Sequence, residues 1–266
     1  MPRPEQPDLP RVVDAAWLAA HLGDPDLVVG DVRGPNAHAR SHIPGSRPLV
    51  LGSPPPGADD DAVADLAKEV ALRLRRHGLT GAERLVLVDR GDGVGAMPAA
   101  QMAELAGHPR VSVLLGGVAA WPRELEVGQV ELHPVKTTFE PRFEAVPTRD
   151  ELAGRLNDDT LLILDVRTEE EFRGKQGYPC DPRQGRIPGA RHVPVEQLFA
   201  APGEPLPADQ IRARVGDPSE IVAYCHSGSR SALATLALRS AGFRARNYPG
   251  SWHEWSRHEE LPAEKD

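Results

Sequence analysis

The chain has 266 residues, 40% of them hydrophobic and 26% charged, with a formal charge of −8 and only 5% aromatics. That length exceeds one average domain and suits two of about 130 residues, and the composition is that of a packed, aliphatic-rich α/β protein. An acidic balance with no Lys/Arg stripe argues against a nucleic-acid partner, and no uncharged apolar run approaches the ~18 residues of a membrane span.

The N-terminal stretch MPRPEQPDLPRVV carries prolines and charges where a secretory signal needs an apolar core, so export by that route is not expected. The expected compartment is the cytoplasm, with no membrane partner. Two cysteines, Cys180 and Cys225, are too few for a disulfide framework, and a reducing compartment keeps them as thiols.

In chain order, VVDAAWLAAHLGDPDLVVGDVR (12–33) predicts a short helix and then a buried strand ending in Asp-Val-Arg. A turn follows at HIPGS (42–46), then a loop-like SPPPGADDDA (53–62). The next helix, Asp60–His77, shows Val63, Leu66, Ala67, Val70 and Leu74 on one face and ends at Gly78. A second strand LVLVD (85–89) leads to a loop, and GGVAAW (116–121) closes the set. The same blocks recur in the same order: VPTRDELAGRLNDDTLLILDVR (146–167), RIPGA (186–190), IVAYC (221–225) and GSWHEW (250–255). The first pair aligns without a gap, and lengths differ mainly through an insertion around FRGKQGYPCDPRQG, which is how loops vary rather than elements. One fold is written twice. Strands apolar on both faces, alternating with helices, predict an α/β architecture in which each copy is a parallel sheet flanked by helices on both faces. The expected domains are 11–125 and 147–260, joined by a proline-bearing linker at 126–146.

Cys225 sits where the strand Ile221–Tyr224 gives way to a helix containing Ala232, Leu233, Leu236, Ala237, Ser240 and Ala241, with Gly242 as its stop. Ligands of open α/β sheets bind at the carboxyl ends of strands. The loop His226-Ser227-Gly228-Ser229-Arg230-Ser231 can turn backbone N–H groups toward one centre, because Gly228 permits unusual dihedrals. Helix dipole, backbone donors and Arg230, with His226 when protonated, would stabilise negative charge on the sulfur. The expectation is a nucleophilic sulfur at an open mouth. Cysteine-dependent phosphatases also place Cys and Arg at the ends of such a loop, but with one more residue between them than the four that separate Cys225 from Arg230. The smaller ring suits a single sulfur atom on the cysteine better than a phosphoryl group.

Two copies with Asp-Val-Arg, Ile-Pro-Gly-Ser/Ala and a Cys-x-x-Gly-x-x loop resemble the tandem rhodanese-domain sulfurtransferases, the thiosulfate and 3-mercaptopyruvate sulfurtransferase family, over about residues 11–260. GSWHEW is similar to a Gly-Ser-Trp-x-Glu-Trp segment of the thiosulfate enzymes. The resemblance implies that Cys225 takes the outer sulfur of thiosulfate as a persulfide and hands it to cyanide or a thiol. A thioredoxin-like reductant is a candidate for that thiol, and no cofactor is implied. The loop differs from the forms typical of either enzyme, and the block Glu171-Phe172-Arg173-Gly174 lacks a substrate arginine found in mercaptopyruvate-using members and some thiosulfate-using ones. A 3-mercaptopyruvate enzyme, or a non-catalytic rhodanese-type binding or regulatory module, therefore stands as the alternative. In the first copy Asp89 replaces the cysteine, and a carboxylate cannot hold sulfane sulfur, so that copy is read as catalytically silent.

Supporting roles are expected for Asp165, Arg167, Arg186 and Trp252. Asp165 and Arg167 recur as Asp31 and Arg33 in the copy without a cysteine, which favours a role in bonding loop backbone. Arg183 and Arg186 could add positive charge from the inserted loop, and Trp252 and Trp255 could line a cleft or fill the core. Cys180 reads as an exposed, incidental thiol. The ten histidines show no zinc-ligand spacing beside a cysteine, so no metal is expected.

Overall fold

A computed structural model describes residues 11–52, 60–201 and 203–266. Most of the stretch read for an export signal (1–10 of 1–13) and most of the loop-like stretch 53–62 (53–59) fall outside them, while 60–62 are helical. Among the described residues, no helix is long and apolar enough to cross a membrane, and two compact units are present: residues 11–52 with 67–142, and residues 60–66 with 143–266.

In the first unit, β1 (Val12–Val13), α1 (Ala15–His21), β2 (Leu27–Asp31), α2 (Pro35–Arg40) and β3 (Arg47–Pro48) are followed by α3 (Asp60–Arg76), whose first residues group with the second unit. Then come β4 (Arg84–Val88), α4 (Ala96–Leu105) and β5 (Val111–Leu114). The strands form one parallel sheet in the order β1-β5-β4-β2-β3. Val63, Ala67, Val70 and Leu74 of α3 are buried, as the helical spacing predicts. Residues 126–142 run along this unit without helix or strand, tied down by Gly128 N–H to Ala39 O, Val135 N–H to Arg75 O and Arg142 N–H to Leu105 O, at 2.9 to 3.0 Å.

The second unit contains α5 (Arg149–Gly154), β6 (Leu161–Asp165), α6 (Glu169–Phe172), β7 (Arg191–His192), β8 (Phe199–Ala201) and β9 (Glu204–Pro205). It continues with α7 (Ala208–Val215), β10 (Glu220–Tyr224), α8 (Ser229–Ser240), β11 (Ala245–Asn247) and α9 (Ser251–Trp255). Its parallel sheet has the order β11-β10-β6-β7, and β8 with β9 makes a separate antiparallel pair. The order repeats that of four strands of the first sheet, β5-β4-β2-β3; the edge strand β1 has no counterpart among the described strands of the second. Register repeats too: Asp31 pairs with Val88, and Asp165 pairs with Tyr224. The next residue in each case, Asp89 or Cys225, therefore leaves its sheet at the equivalent point.

All five residues of β10 are buried, because a strand covered on both faces has no side to give to water. Successive side chains point to opposite faces. Ile221, Ala223 and Cys225 pack with Ala234, Ala237 and Leu238 of α8, whereas Val222 and Tyr224 pack with Tyr248, Trp252 and Trp255. Burying a side chain such as Ile221 fully stabilises the fold by about 1.5–3 kcal/mol. A charge in such a strand must be paired, and Glu220 lies 2.9 Å from Arg155 and 2.7 Å from Arg246. Helix α8 is covered on most sides: Ala232, Ala234, Thr235, Leu236, Ala237 and Leu238 are all buried. It ends as predicted, with Gly242 at φ 85° and Phe243 N–H bonded to Leu238 O.

Candidate active site

Cys225 lies between the end of β10 and the start of α8. Gly228 N–H donates to its Sγ at 3.1 Å, and the Ser231 hydroxyl donates at 3.3 Å. Two protons aimed at one sulfur form an arrangement that negative charge on the sulfur would strengthen. Below the loop, the Ser251 hydroxyl accepts from Cys225 N–H at 3.1 Å and donates to Tyr248 O at 2.8 Å. Ser251 holds φ 54° to do so, a left-handed conformation that is rare outside glycine. The open mouth expected from sequence is not found. Cys225 is only 1% exposed, because the loop curls back over the sulfur, while Ser227 and Ser229 point their exposed side chains outward.

Arg230 is partly covered and makes a two-pronged pair with Glu171, at 2.7 and 2.8 Å. Glu171 is placed by a capping box at the start of α6, where Thr168 and Glu171 satisfy each other's backbone N–H groups. Burial opposes its ionisation, but the bond from Arg230, the Thr168 N–H and the charge of Arg230 outweigh it and hold the carboxyl down at about 2. The same Glu171 contact raises the Arg230 pKa further. Much of the expected positive charge is thus neutralised within the loop's own surroundings. Nor does His226 supply it at neutral pH, since burial lowers its pKa below 6.5 against the pull of Asp181.

Asp165 and Arg167 are both buried and joined by three contacts of 2.6 to 3.1 Å. Arg167 also donates to Gly185 O at 2.7 Å, and the Tyr224 hydroxyl donates to Asp165 at 2.6 Å while accepting from Ile187 N–H. Burial, then the Asp165 carboxylate, pushes the Tyr224 phenol well above its ordinary range. Arg33 repeats these contacts, to Asp31 at 2.6 Å and to Ser41 O at 2.5 Å. Both pairs tie the end of a strand to the loop leading into the Ile-Pro-Gly turn. The insertion arginines do not add charge around the sulfur. Arg183 donates to the carbonyls of Trp255, Ser256, His258 and Leu261, and Arg186 lies over the Phe172 ring and pairs with Glu264 and Asp266. Trp252 is wholly buried, with its indole N–H on Arg183 O, and belongs to the core.

In the first unit, the loop after β4 is closed by Asp89 itself. One carboxylate oxygen accepts from Gly91 N–H at 2.9 Å and the other accepts from Gly95 and Ala96 N–H at 3.2 and 3.1 Å. A built-in anion occupies the donors at the head of α4.

One grouping of titratable side chains escapes any reading by linear spacing. Cys180 and Asp181 from the insertion meet His226 of the loop and His253 of α9 within a space of 4.8 Å. These positions lie up to 73 residues apart, so linear spacing carries no trace of them. Glu171 and Ser251 were missed for the same reason, although the Thr168-x-x-Glu171 pattern is a legible helix-start signature and Ser251 lies in the quoted GSWHEW block.

The description Rhodanese-like domain matches residues 14–124 and 148–258. A protein of Pseudomonas aeruginosa named a probable 3-mercaptopyruvate sulfurtransferase is 33% identical, over 92% of this chain and 94% of its own. A thiosulfate sulfurtransferase of Azotobacter vinelandii is 31% identical, over 96% of this chain and 97% of its own. Among solved structures, a probable thiosulfate sulfurtransferase superposes with a TM-score of 0.69 at 35% identity, over 90% of this chain and 98% of its own. Two matched domains, the repeated sheet order and relatives spanning nearly the whole length agree, and the chain belongs to the tandem rhodanese-like sulfurtransferases.

Proposed function

We propose that Cys225 is the sulfur carrier of this sulfurtransferase and that thiosulfate is its donor. The observation that carries the first part is the pair of protons on Sγ, from Gly228 N–H and the Ser231 hydroxyl. The cysteine sulfur attacks the outer sulfur of thiosulfate, the S–S bond breaks, and its electron pair leaves on sulfite. The persulfide on Cys225 then gives its terminal sulfur to cyanide, forming thiocyanate, or to a thiol, forming a new persulfide. Gly228 and Ser231 hold the anionic sulfur through both steps, His226, Ser227, Ser229 and Arg230 form the rim that meets donor and acceptor, and a thioredoxin-like thiol is one acceptor of the right chemistry. A buried thiol in a binding module would be equally covered, but it would not need two donors aimed at its sulfur.

Thiosulfate is favoured over mercaptopyruvate because the block Glu171-Phe172-Arg173-Gly174 lacks the arginine that the resemblance places in mercaptopyruvate-using members and in only some thiosulfate-using ones. Arg167, Arg183 and Arg186 do not replace it, being committed to Asp165, to carbonyls and to carboxylates near the C-terminus. Asp165, Arg167 and Trp252 act here as scaffold. Residues 11–125 form the silent domain, with Asp89 in the place of the nucleophile, and 147–260 form the catalytic one, joined through 126–146. Side-by-side turnover with cyanide as acceptor tests the donor: thiosulfate is expected to give at least ~10-fold higher kcat/KM, a difference of about 1.4 kcal/mol in transition-state binding. A preference for mercaptopyruvate overturns the assignment.

A further inference from the structure

We infer that Cys180, Asp181, His226 and His253 form a site for a borderline-soft divalent cation of the Zn2+ type. The Cys180 Sγ lies 3.8 Å from His226 Nε2, 3.7 Å from His253 Nδ1 and 3.8 Å from Asp181 Oδ1. Asp181 Oδ1 in turn lies 3.0 Å from His253 Nδ1 and 3.3 Å from His226 Nε2. With Zn–S of about 2.3 Å and Zn–N or Zn–O of about 2.0–2.1 Å, tetrahedral angles place ligand atoms roughly 3.3–3.6 Å apart. The five separations just given fit that figure with shifts of a few tenths of an ångström, and all four ligand atoms lie within 4.8 Å of one another.

A second observation points the same way. The Asp181 side chain is 1% exposed, and its Oδ2 accepts no hydrogen bond, though His226 Nε2 stands 3.3 Å away. A buried carboxylate oxygen left this way costs free energy unless something positive serves it. Arg257 is the neighbouring cation, 3.6 Å from Asp181 Oδ1, but it is 40% exposed and donates to Cys180 O. Tyr178 stacks on the His226 ring at 3.7 Å and fixes its plane, the kind of outer support that orients a ligating imidazole. A thiolate, two imidazoles and one carboxylate suit Zn2+ and exclude Mg2+ or Ca2+, which demand six or more oxygens.

The test uses full-length protein, reduced and stripped with a chelator, then titrated with Co2+ as a spectroscopic stand-in and with Zn2+ as competitor. A single Co2+ is expected, with thiolate-to-metal charge-transfer absorption that Zn2+ abolishes. Cys180→Ser is expected to lose the band, and His253→Gln to weaken binding at least ~10-fold, the smallest effect seen even for outer-shell changes. Cys225→Ser is expected to keep both, which separates this site from the sulfur-carrying one. The proposal is overturned if the wild-type protein gives no band, if Cys180→Ser keeps it at full strength, or if Cys225→Ser alone removes it. Because Cys180 is exposed, its serine variant disturbs no core.

Discussion

Gly228 shows how one residue type sets the loop. Its φ of 89° lies in the left-handed region, and a Cβ there would fall 2.9 Å from Pro249 O and 3.1 Å from Pro249 Cα, backbone that cannot step aside. Gly228→Ala is therefore expected to lose about 1–3 kcal/mol of stability from strain, and to lower turnover further by moving the N–H away from Sγ. Urea unfolding and steady-state rates check it; wild-type behaviour in both would show that the loop is not held as described. Gly228 was legible in sequence because its role is local. Ser251 and Glu171 were not, since their partners Cys225 and Arg230 are 26 and 59 positions away and only the fold brings them together. Burial of Cys225 was misread for a related reason: sequence shows that a loop follows the strand, not that it curls over the sulfur.

At the scale of elements, the Glu171–Arg230 pair ties α6 to the first turn of α8. The folded carboxyl titrates at about 2 against an ordinary 4.5. A depressed folded-state pKa contributes stability that is present above 4.5 and is lost as pH falls through about 2. Glu171→Gln is expected to be less stable at pH 7 by about 1.5–3 kcal/mol, the worth of hydrogen bonds to a charged group. The gap to wild type should close between pH 4.5 and about 2. Denaturant midpoints of both proteins across that window supply the measurement, and a gap that persists at pH 2 would mean the ion pair is not its source. Elements with strong periodicity or clear stops, such as α3 and the Gly242 end of α8, were readable from spacing. The buried sides of α8 were not, because a helix covered nearly all round has no polar stripe to mark its face.

On the scale of the whole molecule, the internal repeat carried most of the fold. Equivalent blocks take equivalent places in two parallel sheets that share a four-strand order and the register of their central strands. What the repeat could not reveal is how each copy closes its loop: Asp89 fills the first with its own carboxylate, whereas the second leaves Gly228 and Ser231 facing a thiol. The two copies thus keep the same loop position after the strand, with a carboxylate there in one and a thiol in the other. Peptide mass mapping after incubation with thiosulfate, and separately with mercaptopyruvate, tests this most directly. The expected result is one added sulfur atom on the peptide holding Cys225, absent from Cys225→Ser. Sulfur found on Cys180 instead, or on neither cysteine with either donor, would contradict it.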